Sequence, residues 1–350
     1  MPVTRALRLP GLALLLGLAA APAWAQTAAP VAPPREIIVA TAPVNSPLGR
    51  WGTAFVERLK AETGQPVSEA ATAGALPNAA LLQSGRVAIG LVTLDAAAAA
   101  WDGRSPMAPG LKFDHLRALA PVAPAAVLRF VVPAGSSIAT ASALAGKRVA
   151  LATDDALTEP MLKALDIKAT LRRMPLTEVA KQLADGKIDA VAVTGLDPFA
   201  LPPEQPATTF GLTVAEIAKL AASMPGVAAA AVPLPPSAPP PTPTIDPAAP
   251  ADPAADTTPA ETPPAAVPQP PLPPSAGMWT WLVAADSLPE DIARRATEIA
   301  IAEAGPLAQA AGLPESPEPE PTANRTLPFH RGAAAAWAAR SVTVPTGAAP

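Results

Sequence analysis

The residues able to do chemistry are few and scattered. Histidine occurs twice, at His115 and His330, and neither stands among acidic residues at ligand spacing. A metal centre needs three or four such ligands converging. The pair makes no metal site, and His330 is read as capping or packing the last helix. Cysteine is absent, which excludes thiolate catalysis, thiolate-bound zinc and disulfides. No serine sits in G-x-S-x-G, and no G-x-x-x-x-G-K-[ST] loop occurs. Asp154-Asp155 is either an acid pair, able to work on a proton or a cation, or the start of a helix whose dipole two carboxylates complement. Arg50 could clamp a carboxylate with its planar guanidinium, or be a surface arginine on a first helical turn. Nothing here breaks a bond, so the chain is not expected to be an enzyme or to carry a cofactor. The chemistry that remains is hydrogen bonding.

Those polar residues are placed by an alternation of strands and helices. Glu36–Thr41, Gln65–Ala70 and Arg86–Thr93 read as strands. Between and after them come a helix from Ser46-Pro47, a helix from Pro77-Asn78 and a helix over Leu94–Trp101. Ser46 is a fitting N-cap with proline at the first helical position. Leu48, Trp51, Phe55 and Leu59 share one helical face, which assigns Trp51 to the core. Leu116–Ala120 and Ala125–Val132 read as two further strands. Then the alternation resumes: strand Val149–Ala152, helix Thr158–Leu165, strand Ala169–Met174, helix Leu176–Ala184, strand Ile188–Val193. Such βαβ units form parallel sheets that bind ligands beyond the carboxyl ends of their strands. Thr41, Ser46, Asn78, Thr153, Thr158 and Thr194 all fall at strand or helix ends. They are the expected neutral hydrogen-bonding groups of a cleft, with Arg50 supplying charge. Helices follow over Thr213–Met224 and Ile292–Ala304, the second with a stop at Gly305-Pro306. Between them a strand over Met278–Ala284 returns to the first half of the fold.

The chain has 350 residues, 50% of them hydrophobic and only 15% charged, enough for one or two domains with sizeable cores. Its net charge is −4, and no basic patch suits nucleic acid. Met1–Ala25 carries Arg5 and Arg8, the apolar run Gly11–Ala21, and Ala23-Trp24-Ala25. A basic start, a short apolar core and a small-x-small site make a cleavable secretory signal. An N-terminal anchor would need about 20 apolar residues, more than this run offers. Removing Arg5 and Arg8, with no acidic residue lost, takes the net charge from −4 to −6. Residues 26–35 are an Ala/Pro leader. Residues 233–275 consist almost wholly of Pro, Ala, Thr, Ser and Asp. They offer too little apolar surface to offset the entropy of ordering, and are expected to be a disordered insertion, with polyproline docking of a partner as the alternative.

The order of certain short motifs carries a resemblance. Gly146-Lys147-Arg148-Val149 enters a strand, Thr158-Glu159 opens a helix, and Asp185–Ala190 (DGKIDA) leads to Thr194-Gly195. Gly74-Ala75-Leu76-Pro77-Asn78 stands where a GSxxN turn would. Leu288-Pro289-Glu290-Asp291 and His330-x-Gly332-Ala333 follow in place. This series resembles the TAXI-type solute-binding receptors, the extracytoplasmic subunits of one class of TRAP transporters. The resemblance implies a two-lobed α/β fold of type II binding-protein kind, each lobe a mainly parallel sheet flanked by helices, with hinge strands between. Lobe 1 would comprise residues 36–124 and 285–345, and lobe 2 residues 125–232 and 276–284. It implies a periplasmic protein that captures a small polar solute, an amino acid or carboxylate, and delivers it to a TRAP-type membrane permease, its only contact with the membrane. The loops depart from the family. Residues 42–50 largely lack glycines, Asp155-Ala156-Leu157-Thr158-Glu159 replaces a GSGTE turn, and Thr194-Gly195-Leu196-Asp197-Pro198-Phe199 replaces TGGAPN. Asp155 and Asp197 thereby join the expected site, where each would repel an anion. The alternative these departures raise is a receptor-like protein that no longer transports and serves as a sensor or envelope scaffold.

Overall fold

Eight strands in one continuous path, most of them rich in β-branched residues or alanine, set the architecture. The computed structural model describes residues 36–153, 155–196, 199, 201–202, 204–232, 273–313 and 320–345. The expected leader segments before residue 36 and the insertion up to residue 272 lie outside these, as do Asp154 and Asp197.

In the first half, β1 (Ile37–Ala40) is flanked in parallel by β2 (Val67–Ala70) and β3 (Ile89–Thr93). The crossovers are α1 (Pro47–Thr63) and α2 (Ala75–Gln83), and α3 (Leu94–Trp101) follows β3 directly. Helix α1 forms as its sequence dictates. Ser46 caps it, Pro47 opens it, and Gly64 closes it with a left-handed φ of 62° that glycine adopts without a Cβ clash. Trp51, Phe55 and Leu59 bury its inner face, the two rings stacked with centroids 5.1 Å apart. Helix α2 starts two residues earlier than expected, at Ala75, because Gly74 rather than Pro77 supplies the turn.

In the second half, β5 (Arg148–Ala152) lies between β6 (Thr170–Met174) and β7 (Ala190–Gly195), again parallel, with α4 (Thr158–Ala164) and α5 (Leu176–Ala184) as crossovers. The motif Gly146-Lys147-Arg148 meets the motif Asp185–Ala190 here. The Arg148 amide and Nε donate to Asp189 Oδ2 at 2.8 and 3.0 Å, and its Nη2 donates to Oδ1 at 2.5 Å. This pair stands at the amino ends of β5 and β7, so these motif residues lock register rather than meet a ligand at the carboxyl ends.

Two long strands join the halves. Leu116–Pro133 is one continuous strand, β4, where the sequence suggested two. Pro121 and Pro124 gave the look of a break, because proline cannot donate to a ladder. The strand runs on through them, opposite Trp281 and Trp279 of β10 (Pro274–Ala285), with register shifts on either side. Strand β10 begins before the expected Met278, inside what read as the insertion. Ser275 there is fully buried and its hydroxyl donates to the Leu128 carbonyl. The full sheet order is β2-β1-β3-β10-β4-β7-β5-β6. Two strands the sequence reading did not foresee complete it: β8 (Ala207–Phe210) on β4 and β9 (Val227–Ala231) on β10, on either side of α6 (Val214–Ser223). Helices α7 (Glu290–Ala302), α8 (Ala304–Ala311) and α9 (Arg331–Ala339) return to the first half. The expected stop at Gly305-Pro306 lies inside α8. Pro306 needs no amide partner in a first turn, so it opens the second helix rather than ending the first.

Each half has its own core. Ile37, Trp51, Phe55, Leu282 and Ile292 centre one side of the first-half sheet, and Trp279, Trp281 and Phe113 the other. Leu128, Phe130, Leu151 and Met161 centre the second half, with a smaller cluster of Val131, Val179 and Val191 behind it. The result is a two-lobed α/β fold with two crossing strands. Among the described residues no helix is long and apolar enough to cross a membrane.

Candidate functional site

The carboxyl ends of β1 and β3 open onto a cavity of about 430 Å³, within the range of small-molecule sites. Thr41, Ser46 and Thr93 line it at strand and helix ends, Ala125 and Thr280 from the crossing strands, and Gly195 and Leu196 from the second lobe. No Asp, Glu, Lys, Arg or His is among its described lining residues.

Thr41 is fully buried, and its Oγ1 donates to Glu69 Oε1 at 2.7 Å; the other carboxylate oxygen accepts from Thr53 Oγ1 at 2.8 Å. Alternation along β1 and β2 brings these together, since Ala40 pairs with Ala70 and Val39 with Glu69. The close fit needs glycine in α1. A Cβ on Gly52 would lie 2.4 Å from Thr41 Cγ2, and one on Gly49 2.1 Å from the Pro43 carbonyl oxygen. The loop is poor in glycine, and these two helical glycines give it room. Ser46 Oγ donates to the Pro43 carbonyl at 2.7 Å and accepts from the Gly49 amide at 3.0 Å.

Asn78 does not reach the cavity. It is fully buried, its Nδ2 donating to the carbonyls of Thr41 and Leu91 at 2.8 Å each and its Oδ1 accepting from Thr72 Oγ1 at 2.6 Å. It fastens the ends of β1 and β3 and has no donor left for a solute. Arg50 points elsewhere. Its Nε and Nη2 donate to the Ala311 carbonyl at 3.1 and 2.7 Å, and its Nη1 to the Asn45 carbonyl at 2.9 Å. A cation on the last carbonyl of α8 complements that helix's dipole; the charge expected in the cleft is spent there.

In the second lobe three expected residues meet. Asp155 Oδ1 accepts from the amides of Leu157 and Thr158 at 2.9 and 2.8 Å, and its Oδ2 from Thr158 Oγ1 at 2.6 Å. Thr158 Oγ1 also lies 2.6 Å from Thr194 Oγ1. A hydroxyl has one proton, and an ionised carboxylate can only accept. Thr158 therefore donates to Asp155, and Thr194 donates to Thr158. Of the two readings of the Asp154-Asp155 pair, Asp155 fulfils that of a helix start. Thr153 is exposed at the end of β5.

Four residues of the site went unforeseen. Thr93 caps the same kind of strand end as Thr41, and that position was the available signal. Glu69 sits in a short, half-buried strand and gave none. Thr280 interrupts the apolar run Met278–Ala284, a polar residue in a buried strand being a readable anomaly. It is 2% exposed, and its Oγ1 has no hydrogen-bond partner among the described residues. Arg129 is buried in β4, and its Nη1 donates to the Gly195 carbonyl at 3.0 Å. It lies on the Val193 side of the sheet, whereas Thr194 pairs with Leu128 on the other side. No group of three or more His, Cys, Asp or Glu that could hold a metal exists among the described residues.

Two lobes, a pair of crossing strands and a cavity at the strand ends define a type II periplasmic-binding-protein fold. Within that superfamily the chain belongs to the NMT1-like family, whose model matches residues 47–246. No curated protein matches it. Among solved structures it is similar to the periplasmic aliphatic sulphonate binding protein SsuA from Escherichia coli, at 11% identity over 90% of this chain and 96% of that one, with a TM-score of 0.39. It is similar to the periplasmic sulfonate-binding protein SsuA from Methylobacillus flagellatus KT, at 18% identity over 45% of this chain and TM-score 0.32. It spans about half the length of that protein, 51%. A TRAP periplasmic solute binding protein from Sulfitobacter sp. NAS-14.1, with bound β-D-galacturonate, matches at 16% identity over 45% of this chain and 61% of that one, TM-score 0.27.

Proposed function

We propose that the protein captures a small solute in the interlobe cleft and hands it to a membrane permease, as an exported, periplasmic subunit of a TRAP-type transporter of the TAXI kind. The observation that carries solute capture is the cavity itself: an uncharged, hydroxyl-bearing chamber walled by both lobes, on a floor made of the two crossing strands. Capture needs the lobes to close, and the crossing gives them a place to bend. Pro121 and Pro124 remove ladder donors from β4, and the β4–β10 register shifts between Met278 and Trp279 and again between Thr280 and Trp281. Closure would bring Gly195 and Leu196 down over the first-lobe hydroxyls, a hinge motion in which no bond is made or broken. The TAXI and TRAP assignment rests on the motif order from Gly146 to Ala333.

The test is a thermal-shift and small-angle X-ray scattering survey of the exported chain against amino acids, amines, dicarboxylates, sulfonates and sugars. A solute that binds only the folded state raises the melting temperature by mass action, and closure shrinks the radius of gyration. A concentration-dependent rise with contraction is expected for one class. A rise without contraction would refute lobe closure, and no rise across the survey would refute solute capture. Uptake by the permease in reconstituted vesicles, present only with this subunit, tests delivery.

A further inference from the structure

We infer that the cleft recognises its solute through a nitrogen head that carries positive charge and donates hydrogen bonds, such as an ammonium or guanidinium group, rather than through a carboxylate or sulfonate. This deepens the solute-capture reading and rests on it.

The first support is the direction of the hydroxyl protons. Thr41 lines the cavity, and Glu69 takes its proton. Ser46 lines the cavity, and the Pro43 carbonyl takes its proton. At the second-lobe lip Thr194 gives its proton to Thr158, which gives its own to Asp155. A carboxylate thus takes the proton one hydroxyl behind the cleft in the first lobe, and two hydroxyls behind Thr194 in the second. With their protons committed, Thr41, Ser46 and Thr194 can accept hydrogen bonds from a solute but not donate them.

The second support is charge. Glu69 has no Lys or Arg within ion-pair distance among the described residues, and neither has Asp155. Arg173 donates to the Asp155 carbonyl and pairs with Glu159 at 3.0 Å, so its charge is answered locally. Arg50 is engaged by α8, and the buried Arg129, which does not itself line the cavity, donates to the carbonyl of Gly195, which does. An anion entering here would meet no cation among the described lining residues, and would face Glu69 one hydroxyl behind the wall.

Helix amino ends are the usual rival, since free amides there hold anions. Those of α1 and α4 are largely engaged, whereas α2 and α3 carry no side-chain cap. Pro47 has no amide, Ser46 takes that of Gly49, Thr72 that of Gly74, and Asp155 those of Leu157 and Thr158.

The third support points directly to a missing partner. Thr280 Oγ1 is buried, lines the cavity and has no hydrogen-bond partner among the described residues. A buried hydroxyl without a partner is rare and needs an explanation. Thr280 is the cross-strand partner of Thr93, which places their Cβ atoms roughly 4.5–5.5 Å apart on one face. One nitrogen head between them can donate to both.

The experiment uses the exported full chain and a set of probes that share a propyl chain and differ only in the head: propylammonium, propylguanidinium, propanol, propionate and propanesulfonate. Affinities come from titration calorimetry at fixed ionic strength. The two cations are expected to bind at least about tenfold tighter than propanol, and the anions weaker than it. Glu69→Gln keeps the shape but offers an amide donor to Thr41, and is expected to weaken cation binding about tenfold. Thr280→Val removes the free hydroxyl in an isosteric way and is expected to weaken it about fivefold. Circular dichroism confirms that both variants fold. Tighter binding of propionate or propanesulfonate would overturn the inference and leave solute capture standing. Cation binding untouched by both variants would also overturn it. Binding of no member would overturn the inference, whereas the broader survey above decides the capture reading separately.

Discussion

Both lobes set a threonine in front of a carboxylate, but they reach it differently. In the first lobe Glu69 comes from the neighbouring strand, 28 residues from Thr41, and Asn78 ties the two strand ends from below. In the second, Asp155 is three residues from Thr158 and belongs to the same helix start. One wall is tertiary and the other local. The cores follow the same division. The first lobe encloses Trp51, Phe55, Phe113, Trp279 and Trp281, whereas the second is mostly aliphatic around Phe130 and ends in β6, an edge strand with Thr170, Arg172 and Arg173 exposed. Charged side chains on an edge guard against pairing with other chains. A platform held by long-range contacts and a lip held by a helix cap suit a receptor in which one lobe moves over the other.

The strongest way to break this comparison is to cut one tie in each wall. Asn78→Ala removes three buried hydrogen bonds, to the carbonyls of Thr41 and Leu91 and from the Thr72 hydroxyl, and should cost about 3 kcal/mol. Asp155→Ala removes a cap from a short helix and should cost about 1 kcal/mol. Urea midpoints at matched slope give both numbers. An Asp155→Ala loss as large as that of Asn78→Ala would mean that the second wall is no more local than the first.

Acidification separates the lobes by pH. In the second lobe the Arg148 guanidinium hydrogen-bonded to Asp189 lowers its carboxyl from 3.8 to about 2. A lowered folded-state value means that the stabilisation is complete above pH 4 and is lost as pH falls toward 2, up to about 2 kcal/mol. In the first lobe burial lowers His330 below its ordinary 6.5. The neutral ring accepts the Gly332 amide at Nδ1, 3.2 Å away, as the cap of α9. Its contribution is complete above pH 6.5 and declines as pH falls below that. Hydrogen exchange followed by mass spectrometry should therefore show α9 loosening at mildly acidic pH, and β5–β7 only below pH 4. Simultaneous loosening would remove the distinction.

How far the sequence revealed this plan depends on the range of the contact. Helix α5 and helix α3 were legible to the residue, because period and turn chemistry are local. So were the Ser46 cap and the role of His330 at the last helix. The β4 crossing was not, because Pro121 and Pro124 look like a break unless the partner strand is known. Strands β8 and β9 were invisible because Ala207–Phe210 and Val227–Ala231 are too short and too rich in Ala and Thr to show a period. The site divides the same way. Thr41 and Ser46, read as residues at strand and helix ends, line the cavity, whereas Thr158 and Thr194, read the same way, bond to each other and do not line it. Glu69 and the true partner of Arg50 required the fold, since sequence gives a residue's type and neighbours but not what faces it across 28 or 261 positions.

Arg50 sharpens the contrast at smaller scale. It stands at the start of α1, yet its hydrogen bonds serve Ala311 at the end of α8. Arg50→Ala should cost about 1 kcal/mol by leaving that carbonyl without its cation. Affinity for any cleft ligand should stay unchanged, because the side chain does not line the cavity. A fall in affinity larger than the fall in stability, read by calorimetry and urea titration on the same sample, would return Arg50 to the site.

The smallest expected effect carries the opposite sign. Thr280 lies where the two lobes share their floor, and its hydroxyl is buried without a partner among the described residues. Replacing it by valine keeps the shape and the β-branch suited to a strand, and removes a polar atom that water no longer reaches. Thr280→Val should therefore raise stability by about 0.5–1 kcal/mol, visible as a higher melting temperature. Most substitutions destabilise, so a gain at a fully buried cleft position marks a group kept for something other than folding. A loss of stability would show that the hydroxyl has a partner within the fold, and the floor of the cleft would then belong to the platform rather than to the solute.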